Sequence, residues 1–110
     1  MSATYAEICL SIAKEEINED PNILSFNKDY GTNEELVLLA VGIYHGAICY
    51  ASKKLQENRN FILKAVKKNG LVLDYVSQEF KDDEEVVRAA IKQNPKAIFS
   101  ASERLRKNPP

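Results

Sequence analysis

A period of about 25 residues runs through most of this chain, and few folds accept such a period. Shifting the stretch Asn58–Asp82 by its own length in either direction keeps the residue classes in register. Asn33, Asn58 and Asp83 align, as do Leu36-Val37, Phe61-Ile62 and Val86-Val87. Ala40, Ala65 and Ala90 follow, then Val41, Val66 and Ile91. Further on come Ile48, Leu73 and Ile98, then Ser52, Ser77 and Ser102, then Leu55, Phe80 and Leu105. Three copies result, at 33–57, 58–82 and 83–107. A unit this short buries little by itself and gains its core by stacking on its neighbours.

Each copy reads as a helical hairpin. The first helix carries apolar residues at i, i+1, i+4 and i+5, as in Phe61, Ile62, Ala65 and Val66. The second carries them at i, i+3 and i+7, as in Leu73, Val76 and Phe80. Both patterns place one apolar stripe on a 3.6-residue turn. Gly70 is expected to end the first helix in the left-handed conformation that glycine adopts at little cost. Pro95, its counterpart in the third copy, suits the first position of a following helix. The first copy has Tyr44-His45-Gly46 there, with the glycine one place later. The recurrent Ala40, Ala65 and Ala90 are expected where helices pack closely. Ser52, Ser77 and Ser102 are expected to act likewise, as small residues whose hydroxyls bond a carbonyl one turn back. No histidine tracks the serines, so they are assigned to structure and not to catalysis.

The segments EEVVRAAIKQN (84–94) and NGLVLDYVSQEFKDDEEVV (69–87) resemble a tandem helical-hairpin repeat of unknown function with units like EVVLAAVKQNGLALQYASEELK. The resemblance covers residues 33–107. The repeat family occurs in intracellular bacteria, including effectors delivered to host cells by type IV secretion, and in some protists and viruses. It implies an adaptor-like role and brings no catalytic residues. In the first copy Gly42, Ile43, Tyr44 and His45 depart from the family's polar run.

Residues 4–31 read as a fourth, degenerate hairpin. Thr4 and Glu7 form a capping box, and Tyr5, Ile8, Cys9, Ile12 and Ile17 form a helical stripe. Asp20-Pro21 parallels Asn94-Pro95 and ends that helix. Ile23, Leu24 and Phe26 begin a second helix that Gly31 ends. Thr32 and Glu35 read as another capping box, opening the apolar run LVLLAVGIY at 36–44. Leu38, Leu39 and Ile43 make that helix apolar all round, so the N-terminal hairpin is expected to cover them. Acids at 82–85 sit at a helix start, where they cap N–H groups and suit the dipole. The whole is expected to be an all-α single domain of about eight short helices in four stacked, slightly curved hairpins.

Charge is uneven although the net charge is −1. Residues 1–50 hold eight acidic and two basic side chains, and residues 51–110 hold eight acidic and thirteen basic. Cys9 and Cys49 fit no metal or redox spacing and read as small core residues of a reducing, cytoplasmic protein, with translocation into a host cell allowed. The sequence shows no signal peptide and no run long enough to span a membrane. No zinc motif or phosphate-binding glycine loop is present, so no metal or cofactor is expected.

Three functions follow from these residues. The leading one is a non-catalytic protein-interaction module, monomeric, whose partner meets a ridge of Lys64, Lys67, Lys68, Arg88 and Lys92 on the first helices. The second is nucleic-acid binding through the basic C-terminal half, which the sub-neutral isoelectric point opposes. The third is an enzyme built on His45 and Cys49, four residues apart on a helix.

Overall fold

The computed structural model of the protein describes residues 5–20, 22–23 and 28–110. Among these, all regular structure is helical. The α-helices are α1 (Tyr5–Glu19), α2 (Lys28–Gly31), α3 (Glu34–Ile43), α4 (Lys53–Gln56), α5 (Arg59–Lys68), α6 (Gln78–Lys81), α7 (Glu84–Gln93) and α8 (Glu103–Lys107). Between them lie three 3₁₀ helices, His45–Tyr50, Gly70–Tyr75 and Pro95–Ser100. The expected all-α architecture is therefore present, and the molecule measures 54 × 23 × 22 Å.

Each repeat starts with the same device. Asn33, Asn58 and Asp83 sit in extended backbone, and their side-chain oxygens accept from the N–H of Leu36, Phe61 and Val86 at 3.1, 3.1 and 3.3 Å. Such caps satisfy donors that a helix start leaves unpaired. The cap before α3 is thus Asn33, and the expected Thr32–Glu35 box does not form. The Thr32 hydroxyl instead donates backwards to the Asp29 carbonyl at 2.8 Å. The Thr4 cap lies outside the described residues, as do Pro21, Leu24, Phe26 and the side chains of Tyr5, Ile8 and Cys9.

Each first helix also stops the same way. Tyr44, Asn69 and Asn94 leave the helix at φ near −150°. Asn69 and Asn94 then accept from the N–H two residues on, Leu71 and Lys96. Asp20 does this for Asn22 at 3.0 Å, which makes the end of α1 match the end of α7. Gly70 has no positive φ, and neither does any described glycine. Its role is close approach: a Cβ there would run into the Ala90 carbonyl oxygen of the next repeat.

The second half of each repeat is not one helix. A 3₁₀ helix ends in two extended residues, Ala51-Ser52, Val76-Ser77 or Ala101-Ser102, and a single α-helical turn follows. The serines therefore start helices and do not sit within them. Ser52 and Ser102 hydroxyls accept from Leu55 and Leu105 N–H at 3.3 and 3.4 Å, while Ser77 is exposed and makes no such cap. Pro95 does open its 3₁₀ helix, as expected of proline.

The core is one continuous stack. Ala40, Ala65 and Ala90 are completely buried, with Val37, Val41, Val66, Val86 and Val87 around them. α1 covers α3 with Ala13 and Ile17, which are buried, helped by half-buried Leu10. Ile12, expected in that stripe, is 50% exposed. Leu38 and Leu39 are half-buried against the core, but Ile43 stays 47% exposed, so the N-terminal hairpin covers only part of the extra apolar face.

Candidate partner-binding groove

α5 and α7 lie side by side, and their apolar faces turn into the core. What they leave outside is basic. Lys67, Lys68 and Lys92 occupy the last turns of their helices, where positive charge suits the helix dipole. That placement alone explains their stability, so their arrangement must be judged by what surrounds them.

The five expected ridge residues separate into groups. Lys64 is already engaged, its Nζ 2.7 Å from Glu34 Oε1 of the preceding repeat. The aliphatic stem of Lys68 lies over Gly42, where a Cβ would meet its Cε at 3.1 Å. It borders a depression with Leu38, Leu39 and the Lys14–Glu35 ion pair. Lys67 and Lys92 come together with Ala89 and Gln93 around a groove of ≈ 330 Å³ between α5 and α7. Gln93 is fixed there because its Oε1 accepts from Gly70 N–H at 2.6 Å. Arg88 is exposed one turn before Lys92. Among the described residues, no carboxylate lies within 4.0 Å of Lys67, Lys68, Arg88 or Lys92.

Four further basic residues of the second half, Lys53, Arg59, Arg104 and Lys107, are paired. Arg59 bridges Asp83 and Glu85 of the following repeat, both at 2.8 Å. Arg104 spans Asp82 at 3.0 Å and Glu84 at 3.4 Å. Asp82 and Asp83 are consequently held below the usual carboxylate range, Asp82 chiefly by the Ser102 hydroxyl and then Arg104, Asp83 chiefly by the Arg59 guanidinium. Lys53 and Lys107 pair with Glu57 and Glu103 along their own turns. Among the described residues, Lys67, Lys68, Arg88 and Lys92 of the thirteen basic side chains of the second half lie without an ion pair on α5 and α7, and Lys54, Lys81, Lys96 and Arg106 lie without one elsewhere.

His45 and Cys49 do not make a pair. They belong to a 3₁₀ helix, with three residues per turn, so residues four apart point about 120° from each other. The His45 ring lies instead between Tyr44, at 5.5 Å, and Tyr75, at 5.3 Å. Cys49, expected in the core, is exposed, because its place on the 3₁₀ helix turns it away from buried Ala47 and Ile48. Partial burial of its sulfur still pushes the thiol pKa up, which disfavours the nucleophilic thiolate. Tyr75 also holds its proton more tightly than usual, first through the charge of Tyr44, then through burial and a hydrogen bond with Tyr44. This aromatic cluster joins two repeats and was not legible in the sequence, since nothing in a single copy brings Tyr44 to Tyr75. Among the described residues, no group of three or more His, Cys, Asp or Glu could hold a metal ion, and no helix is long and apolar enough to cross a membrane.

A capped helix, an extended break, a 3₁₀ helix and a one-turn helix, recurring in the same order from copy to copy, define a stacked helical-repeat protein. The chain belongs to the family described as Domain of unknown function (DUF4116), which matches residues 33–81 and 58–106. The two matched segments start at Asn33 and Asn58, so each spans two repeats and their offset is one repeat. No curated protein and no solved structure matches the chain.

Proposed function

We propose that this protein is a non-catalytic interaction module that receives an acidic segment of a protein partner in the groove between α5 and α7. The observation that supports it is the contrast within one surface. Arg59, Lys64 and Arg104 are committed across repeats or repeat boundaries, while Lys67 and Lys92 meet at one groove with Lys68 and Arg88 on the same two helices, none of the four within 4.0 Å of a carboxylate among the described residues. By analogy with like-charged neighbours on one helix, Lys67 beside Lys92 costs a few tenths of a kcal/mol, which offsets part of what the helix dipole contributes, and the counterpart of Lys67 in the first repeat is Gly42. A partner carboxylate array would remove that repulsion, speed encounter and fix orientation. The setting proposed is the one the repeat resemblance suggests, an effector acting inside a host cell.

The test is titration of the labelled protein with a helical glutamate-rich peptide and, separately, with duplex DNA. Amide shifts should concentrate at Lys67, Ala89, Lys92 and Gln93 with the peptide, and the combined Lys67→Glu, Lys68→Glu, Arg88→Glu, Lys92→Glu variant should abolish them while its circular dichroism stays helical. Tighter binding to DNA with a steep salt slope would replace this reading by a nucleic-acid one. Peptide shifts that survive the four reversals would place the interaction elsewhere.

A further inference from the structure

The first helices of the three repeats form one continuous outer face, and its chemistry changes along the array. α3 packs on α5, and α5 on α7. Four positions of that face recur in register. On α7 they are Arg88, Ala89, Lys92 and Gln93, and on α5 they are Leu63, Lys64, Lys67 and Lys68, of which only Leu63 is buried. On α3 they are Leu38, Leu39, Gly42 and Ile43, with no charge among them. The face therefore runs from apolar to basic across three neighbouring helices.

The apolar end is a hollow. Leu38 and Leu39 line a depression of ≈ 300 Å³ together with Lys68 and the Lys14–Glu35 ion pair. Gly42 sets no side chain beside it, so the Lys68 stem lies directly on α3. Ile43 stands one turn beyond Leu39 and is 47% exposed. The two carboxylates at the start of α3 would not repel an anionic partner strongly, because both are paired, Glu34 with Lys64 at 2.7 Å and Glu35 with Lys14 at 2.8 Å.

The hollow and the basic groove flank the same turn of α5. Lys68 borders the hollow, and Lys67 borders the groove with Lys92. Consecutive residues on an α-helix point about 100° apart, which sends these two lysines to opposite sides. The two concavities are thus about one interhelical spacing apart, roughly 8–10 Å. Two turns of a bound helix cover about 11 Å, so residues i and i+7 on one face of a partner helix would reach both.

We infer that the groove's occupant is an amphipathic acidic helix, with one large apolar side chain seated in the hollow of Leu38, Leu39 and Ile43 and glutamates two turns along meeting Lys67 and Lys92. It rests on the groove being the site of an acidic partner, and it adds the apolar anchor and the direction in which the partner lies. Charge speeds encounter and fixes orientation, while a buried apolar anchor supplies affinity that rim charges do not. An anionic membrane also offers acid beside hydrocarbon. A bilayer, however, takes up apolar side chains that stand out from a surface, and Leu38 and Leu39 are half-buried beside an ion pair.

Two helical peptides of equal charge test it, one with leucine at the anchor position and glutamates two turns along, the other with alanine in place of that leucine. The leucine peptide should shift the methyl signals of Leu38, Leu39 and Ile43 together with the amides of Lys67 and Lys92. It should bind about tenfold tighter than the alanine peptide, or more. A spin label at its leucine end should broaden Leu38 and Ile43, and one at its glutamate end Lys92 and Gln93. Ile43→Ser, at an exposed position, should bring the leucine peptide towards the affinity of the alanine peptide with the melting temperature unchanged. Equal affinity of the two peptides, with Lys67 and Lys92 still shifting, would overturn the anchor and leave the acidic-partner groove standing. No shift at Lys67 or Lys92 with either peptide would overturn both. Phosphatidylserine vesicles that perturb the Leu38 and Ile43 methyls more strongly than the leucine peptide does would replace the helix with a membrane surface.

Discussion

Gly70 shows how a repeat position can be located correctly for the wrong reason. Its place beside the helix end suggested a left-handed turn, yet the chain there needs room and not a positive φ. The Ala90 carbonyl of the next repeat occupies the space that a side chain would need. Gly70→Ala should therefore lower stability by about 1–3 kcal/mol through overpacking. Gly42→Ala makes the control, since its Cβ would meet only the flexible Lys68 stem at 3.1 Å and it lies within α3. There the change should be neutral or stabilising by about 0.5–1 kcal/mol. Urea melts of the two variants decide the matter, and equal losses would remove the close-approach account. What the sequence could show was the register, because residue classes recur from copy to copy and buried alanines must be small. It could not show the carbonyl, which belongs to another repeat.

At the scale of the element, the helix period misled at one point. Leu73, Val76 and Phe80 fit i, i+3 and i+7 on a single helix, and all three are buried. Yet Val76 is extended, with ψ of 166°, and the helix is broken in two. Three apolar residues inside one repeat cannot distinguish a continuous α-helix from a 3₁₀ helix plus one turn. This is also why His45 and Cys49 looked like neighbours and Ser102 like a packing residue. The Asp83 cap was legible, because an acid at a helix start has one dominant use, whereas the cap that Thr32 suggests is supplied by Asn33. The Asp83 cap carries a pH signature. Its folded pKa lies below the unfolded value near 3.9, so its stabilisation is fully present above that pH and is lost as pH falls through the folded pKa. Arg59→Met removes the largest cause of the shift. The variant should melt below wild type at pH 7 and approach it in acid, once Asp83 is protonated. A gap of the same size at both pH values would show that Arg59 acts by packing alone.

Over the whole molecule the junctions are unequal. The Ser52 N–H donates to the Gly31 carbonyl at 2.8 Å, and the Ser102 N–H to the Lys81 carbonyl at 2.9 Å. Ser77 sits in the same register and makes no such bond to Gln56, whose side-chain amide turns back to Ala51 and Cys49 of its own repeat. A groove of ≈ 250 Å³ opens there, edged by Ile48, Gln56, Tyr75 and Ser77. Glu79 also stands where Arg104 bridges Asp82 in the next repeat, and Glu57 stands in the place of Asp82, so attraction is replaced by like charge. Amide hydrogen exchange should find Ser52 and Ser102 protected and Ser77 fast, and equal protection at all three would contradict the difference. In mechanical terms the array should behave as two stiffer blocks joined by a more compliant junction, which Lys64–Glu34 and the Tyr44–His45–Tyr75 cluster still bridge. A load along its 54 Å axis would bend it between the first and second repeats. The groove between α5 and α7 lies wholly within one block and would keep its shape while the rest of the molecule flexed.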